Sequence, residues 1–516
     1  MLKPDKVIIT NRKALQTKYG ANFARIENAL LRLIAADKKR GIETKLMEID
    51  SAPQMAEVHG PEVRNQDDQE QVKAAVDAVY KTYKPDYILL LGAPDVLPHQ
   101  DLRNPVYDPD GDSDKLVPSD VPYACEATYS TDPTRFLGPT RVVGRLPDLQ
   151  GKADAAYLVS LLGTAARHKT RSRSEFQKYF SVSAEVWKSS TALSLTKVFG
   201  ANTAMATSPP KGPAWTEAQL RPRMHFINCH GAPSDPYFYG QRGNQYPKAH
   251  SAKQLKSKIS NGTVIAAECC YGAELYDPDD SAGQAGICSA YLRDGAYGYF
   301  GSSTIAYGPS EGNGQADLIC QYFLNEVLDG ASLGEAALRA RHRFAQAYTH
   351  LDPVDLKTLI QFNLLGDPAV HVTAAVPHAL VRTKAFRKAF QPHQNSKATR
   401  SLRRERSMRV GTHLQAGLGA AISVDEILSG ELMKVLEAAA KETGIESFGK
   451  RSFRVQFPEQ ALKGDMALFA GDRESRRVYM LSGRRPVPKG APGHIVSLVA
   501  TVQNGQLIHM RRIHSR

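Results

Sequence analysis

Two short apolar runs constrain this chain more than any other feature. Phe226-Ile227-Asn228-Cys229-His230-Gly231 and Val264-Ile265-Ala266-Ala267-Glu268-Cys269-Cys270-Tyr271-Gly272 each stop at a reactive side chain with a glycine close behind. Runs this short and this apolar suit strands buried on both faces, the kind found in parallel sheets covered by helices. Two such strands lying side by side would bring an imidazole and a thiol to the same sheet edge.

The flanking sequence agrees with that sheet. Val7-Ile8-Ile9-Thr10 is a strand, Phe23 to Ala36 carries apolar residues at helical spacing, and Gly41 closes that helix. Glu43 to Ile49 reads as strand, Val72 to Tyr83 as helix, and Tyr87-Ile88-Leu89-Leu90-Leu91-Gly92 as a buried strand. This β-α-β order predicts parallel pairing with right-handed crossovers. The same alternation resumes after a polar connection at 105–140 and runs to an expected last strand at Ala369-Val370-His371-Val372.

At 516 residues the chain exceeds one ordinary core. We divide it into an N-terminal α/β subdomain (1–150), a catalytic subdomain (151–376), a basic flexible linker (377–412) and a C-terminal α+β domain (413–516). The linker rests on charge: ten Lys or Arg and one acid, Glu405, between Arg382 and Arg409, which is +9 of the net +13. No apolar run is long enough to span a membrane and none reads as a signal peptide, so a cytoplasmic location is expected. Six cysteines without a CxxC pair exclude a disulfide framework and a zinc finger.

A cysteine peptidase needs a thiol that becomes thiolate, an imidazole that moves the proton, and donors for an oxyanion. His230 and Cys270 supply the first two. Alternation along a strand puts Cys269 and Cys270 on opposite faces, and the spacing to Gly272 favours Cys270. Cys229 is assigned to packing. The backbone N–H groups of Gly231 and Cys270 are the expected oxyanion donors. The separation of 40 residues and the Glu268-Cys269-Cys270-Tyr271-Gly272 layout parallel the caspase pattern. Asp108, Asp110, Asp112 and Asp114, alternating around Gly111, read either as a solvated acidic turn or as a structural calcium loop. No other cofactor is required.

Several stations resemble, in order, the gingipain-type cysteine peptidases (peptidase family C25), relatives of caspases, separase and clostripain. They are Leu89-Leu90-Leu91-Gly92 with Val96-Leu97-Pro98; Ser119-Asp120 before Pro122-Tyr123-Ala124; Val143-Gly144-Arg145-Leu146-Pro147; Ser183-Ala184-Glu185; Cys229-His230-Gly231; Glu268-Cys269-Cys270; and Asn363-Leu364-Leu365-Gly366-Asp367-Pro368-Ala369. The resemblance implies a caspase-like α/β parallel-sheet sandwich in two adjacent subdomains over residues 1–376. It implies a cysteine endopeptidase in which His230 and Cys270 form the dyad and Glu185 orients the histidine. Gly144-Arg145 and Gly366-Asp367-Pro368 are assigned to architecture.

The resemblance also implies cleavage after a basic residue, read by an acid in the substrate pocket. The segment after Glu185, Val186-Trp187-Lys188-Ser189-Ser190, has no acid, so Asp235 or Glu311 is the expected substitute, with Tyr307 in the same substrate-binding loop. The chain shows no leader, pro-segment or immunoglobulin-like tail. Restraint by the linker or the C-terminal region, with a regulatory partner as one route, is therefore expected, with Arg400-Ser401-Leu402-Arg403-Arg404-Glu405-Arg406 as a target for self-cleavage. A regulated intracellular role in bacterial defence or stress is the family-level expectation. The competing reading is a protein- or nucleic-acid-binding scaffold in which the basic 382–409 tract grips phosphates and the peptidase fold is inactive. That tract has only Phe386 and Phe390 as aromatics and no folded reader motif, which favours peptide substrates as partners.

Overall fold

The computed structural model describes residues 3–374, 396–424, 430–445, 447–458 and 476–516. A ten-stranded sheet forms its centre. In chain order its strands are β1 (Lys6–Thr10), β2 (Thr44–Glu48), β3 (Tyr87–Leu91), β4 (Val143–Leu146), β5 (Tyr179–Ala184), β6 (Met205–Ser208), β7 (Met224–Asn228), β8 (Val264–Ala267) and β9 (Gly298–Ser302). The short β10 (Tyr307–Gly308) and β11 (His350–Leu351) lie in another sheet, and β12 (Phe362–Gly366) completes the ten. The order across the sheet is β2-β1-β3-β4-β12-β9-β8-β7-β5-β6.

All pairings are parallel except β9 with β12. The sheet therefore consists of two parallel halves of opposite direction, joined at one antiparallel seam. This is the expected α/β class with two adjacent subunits of structure. β1, β3, β7, β8 and β9 are buried along their whole length, as strands of a parallel sheet covered on both faces are. Helices form where the 3.6-residue pattern predicts them. Phe23–Lys39 buries Ile26, Leu30 and Leu33, and Gln69–Tyr83 is capped by the Asp68 carboxylate, which accepts from the Gln71 N–H.

The last strand of this sheet differs from expectation. It is Phe362–Gly366, while 369–372 makes only an isolated bridge between Ser332 and His371. Gly366 takes φ +152° and Pro368 has no N–H to donate, so the ladder cannot continue through Gly-Asp-Pro.

Many motifs that carry the family resemblance meet in buried networks at the seam. The Arg145 guanidinium donates to both oxygens of Asp120, and to the carbonyls of Gly92 (2.8 Å) and Leu97 (2.6 Å). His99 completes the shell of Asp120 at 3.0 Å, and the Asn363 side-chain oxygen accepts from the Asp120 N–H. Lys6, fully buried, donates to Asp37 and Asp367. Each charge is held by several partners, the condition under which burying ions does not open the fold.

The C-terminal region forms a second sheet from β13 (Gly419–Val424), β14 (Gly449–Gln456), β15 (Arg476–Arg484), β16 (Ile495–Gln503) and β17 (Gln506–Ser515). Its seven-stranded order is β10-β17-β16-β15-β14-β13-β11. Strands lent by the first unit thus cover both of its edges, and the sheet is continuous across the two parts of the chain.

The tract expected as a flexible linker is partly helical. Residues 375–395 lie outside the described residues, but Lys397–Gly417 is one helix, started by Ser396, whose hydroxyl accepts from the Thr399 N–H. Charge pairing orders it. Arg400 is buried and donates to Asp86 (3.0 Å) and Asp5 (2.9 Å), Arg404 also reaches Asp86, and Arg403 meets Glu335 at 3.3 Å. Charge density alone suggested a solvated segment because these acids are more than 300 positions earlier or on another helix.

Candidate active site

β7 and β8 are parallel neighbours with Ile227 opposite Ala267. The chain leaves both at the same edge, which sets His230 and Cys270 at equivalent levels beyond it. Gly231 is required there by close approach: a Cβ on it would stand 1.9 Å from the Cys270 carbonyl oxygen. The alternation argument separates the cysteines as expected. Cys269 packs into the core under the sheet and its thiol faces the Ile227 carbonyl (3.9 Å), whereas Cys270 packs against Ile305 and Tyr307 and donates to the Ala306 carbonyl (3.5 Å). Cys229 is in the same core as Cys269.

The His230 backbone exchanges hydrogen bonds of 2.8 Å with Tyr239, which carries Gln241 to the imidazole. The His230 Nε2–H donates to Gln241 Oε1 at 2.8 Å. The tautomer follows from the amide: Gln241 Nε2 donates to the Gly243 carbonyl and the Tyr246 hydroxyl (both 3.0 Å), so Oε1 is left to accept. Nδ1 then carries the lone pair and has no partner. Trp187 packs on the ring at 4.3 Å between centroids. Burial lowers the His230 pKa to about 3, and burial raises the Cys270 thiol to about 12. Both groups are neutral in this arrangement.

Glu185 does not orient the histidine. Its carboxylate takes a hydrogen bond from the Arg242 Nε at 2.5 Å and lies partly in solvent. It follows β5 at the right edge, but Gln241 of the neighbouring hairpin is nearer to the ring. Sequence reasoning passed over Gln241 because a neutral amide 11 residues downstream carries no motif.

Beside the pair lies Arg516. The carbonyl oxygen of Arg516 accepts from the N–H of Cys270 (3.1 Å) and of Gly231 (3.3 Å), the two groups expected as oxyanion donors. The Arg516 N–H donates to the Ala306 carbonyl at 2.9 Å, and β17 pairs antiparallel with β10, Ser515 opposite Tyr307 and His514 opposite Gly308. The Arg516 side chain is fully buried in a pocket. Its Nη2 donates to both oxygens of Asp317 (3.1 and 3.0 Å) and to the Pro309 carbonyl (2.7 Å), and its guanidinium lies over the Trp187 ring at 4.5 Å. Gly308 leaves the space: a Cβ there would stand 2.2 Å from that Nη2. Glu268, at the end of β8, is buried beside Asp317, and burial followed by the Asp317 charge pushes its pKa well above the usual range.

The acids expected in the pocket are elsewhere. Asp235 accepts from the Tyr239 hydroxyl (2.7 Å) and the Tyr237 N–H (2.9 Å), and Glu311 is exposed. Tyr307 does line the groove, but through its backbone; its hydroxyl donates to Asp112. Asp317 was missed because an acid in the first turn of the helix Gln315–Leu328 is already explained by the helix dipole.

The acidic loop also has a different role from the calcium reading. Among the described residues no three His, Cys, Asp or Glu side chains group as a metal site. Asp112 is buried against Lys357 and Tyr307, Asp114 accepts from the Tyr271 hydroxyl (2.8 Å), Asp108 accepts from the Asp110 N–H (3.0 Å), and Asp110 faces solvent. The carboxylates diverge, and two of them brace the segments on either side of Cys270.

Residues 224–373 match the model of peptidase family C25. No curated protein matches the chain. Two solved structures are similar. One, described as the structure of a protease, is 12% identical over 99% of this chain and 97% of that one, with a TM-score of 0.44. The other, the Saccharomyces cerevisiae separase–securin complex, is 12% identical over 47% of this chain and 15% of that one, with a TM-score of 0.27. The family match indicates a cysteine peptidase, and it covers His230, Cys270, the Ala306–Pro309 groove segment and Asp317: in residues 224–373 the chain resembles peptidase family C25, as its sequence motifs indicated.

Proposed function

We propose that the protein is a cysteine endopeptidase that cleaves extended peptides after arginine. The observation that carries this reading is the seating of Arg516: one residue fills a carboxylate-floored pocket while its carbonyl oxygen takes both backbone donors beside Cys270. A P1 arginine would bind in the same way, its N–H donating to the Ala306 carbonyl while the two residues before it pair with Tyr307 and Gly308.

In the reaction, His230 Nδ1 takes the Cys270 thiol proton and the thiolate adds to the P1 carbonyl carbon. The N–H groups of Gly231 and Cys270 hold the resulting oxyanion. The imidazolium, kept in place by Nε2–H donation to Gln241, protonates the leaving amine as the C–N bond breaks. Water, deprotonated by the same nitrogen, then hydrolyses the thioester and restores the thiol. The pocket supports arginine over lysine. The planar guanidinium lies over Trp187 while one nitrogen reaches Asp317 and Pro309, and an ammonium lacks that plane.

The scaffold alternative draws on the basic tract. Arg400, Arg403 and Arg404 of that tract are already engaged by Asp5, Asp86 and Glu335, which favours the peptidase reading. Self-cleavage between Arg400 and Arg406 would need an extended segment, and these residues are helical. The test is turnover of an arginine-P1 fluorogenic peptide by the Arg516→Gln variant, whose pocket is vacated. Turnover that disappears on adding Cys270→Ala supports the proposal, and turnover that survives Cys270→Ala contradicts it.

A further inference from the structure

We infer that β17 is a tethered occupant of the substrate groove, so that the C-terminal sheet holds the peptidase shut in cis. This rests on the reading of the groove as the peptide-binding site. Every recognition element is engaged by the chain itself: the β10 edge by Ser515 and His514, the Ala306 carbonyl by the Arg516 N–H, both oxyanion donors by the Arg516 carbonyl, and Asp317 by the guanidinium. Cys270, whose N–H is taken by the Arg516 carbonyl, is itself buried.

The strand is anchored well beyond its tip. The Ile495 N–H donates to the Ser515 hydroxyl at 2.8 Å, and Arg511 pairs with Asp352 and with Asp355 (2.7 Å) in the first unit. A side-chain relay also links the strand to the catalytic imidazole's support. Gln241 Nε2 donates to Tyr246, the Tyr246 hydroxyl donates to His494 Nδ1 (3.1 Å), and His494 Nε2–H donates to His514 Nδ1 (3.2 Å). Substrate can enter only after β17 leaves β10, so activation consists of withdrawing this strand, by a partner that engages the C-terminal sheet or by removal of its last residues.

The experiment measures access to Cys270 directly. The wild type and the Arg516→Gln and Arg516→Ala variants are treated with iodoacetamide at neutral pH, and alkylation is located by peptide mass spectrometry. Labelling of Cys270 about tenfold or more faster in both variants is expected, because the competent fraction rises when the anchor is lost. Buried Cys229 reports folding and should stay unlabelled in all three proteins. Equal labelling of Cys270 in wild type and variants, with Cys229 protected, overturns the inference. Turnover is scored separately: faster labelling without cleavage of arginyl peptides would keep the restraint and reject the arginine-peptidase reading.

Discussion

In the proposed reading, Asp317 decides what the pocket recognises. Its carboxylate is fully buried and faces a fully buried guanidinium, so removing its charge strands the partner. Losses of about 2–5 kcal/mol are usual for such truncations, at about 1.4 kcal/mol per tenfold. Asp317→Asn in the Arg516→Gln background should therefore lower kcat/KM for arginyl peptides by about thirty-fold or more, measured by initial rates, and should shrink the gap between arginyl and neutral substrates. A selective effect on arginine distinguishes recognition from loss of the helix cap that Asp317 also provides through the Gly314 N–H. Gln241 acts through His230 and is a positioning residue. Gln241→Ala should reduce kcat with little change in KM. Gln241→Glu should restore much of kcat and shift the acid limb of the pH–rate profile upward, since a carboxylate beside Nε2–H stabilises imidazolium. A Gln241→Glu profile that overlays the parent's would remove this role.

At the level of single elements, β17 and its histidines set how the closed state responds to pH. Burial pushes His514 down to about 3 and His494 well below its usual value; Arg485 and Arg516 add unfavourable positive charge around both, and Arg512 around His514. The docked strand binds fewer protons than the released one. Docking is thus fully favoured above about 6.5, the ordinary histidine value, and weakens as pH falls from there towards about 3. At pH 5 a neutral His514 contributes about 2 kcal/mol of this loss. Hydrogen exchange of the β17 amides should accelerate between pH 7 and 5 beyond the intrinsic pH effect, and His514→Phe should flatten that response. An unchanged protection factor across this range would contradict the account.

At the scale of the whole molecule, the helix Lys397–Gly417 ties the C-terminal sheet back to the N-terminal half of the first. Arg400 bridges Asp5 and Asp86 out of solvent, so Arg400→Ala takes the cation from buried Asp5 and leaves Asp86 with Arg404 alone. Breaking a buried pair costs about 3–5 kcal/mol, and thermal unfolding followed by circular dichroism should show a clear fall in Tm. Arg406→Ala, on the exposed side, should not.

The sheet was legible in the sequence because β3 and β8 are unbroken apolar runs and β7 carries a short one, and the arrival of His230 and Cys270 at the same edge followed from where two of those runs stop. Gln241, Asp317 and Arg516 were not legible. They reach the site from a hairpin, a helix start and a distant strand, and each has an ordinary local explanation as loop amide, dipole acid or surface base. The helix at 397–417 was hidden for the same reason: the acids that neutralise it are remote in sequence. Local periodicity reports elements, whereas these residues acquire their roles only when elements from far along the chain meet.

The central claim is that this groove cleaves after arginine and that Cys270 performs the attack. It is tested most directly by kcat/KM for peptides differing only at P1, measured on Arg516→Gln with and without Cys270→Ala. The account predicts arginine well above lysine, negligible turnover with alanine, and loss of all turnover without the thiol. Equal rates for the three peptides, or turnover that persists in Cys270→Ala, would contradict it.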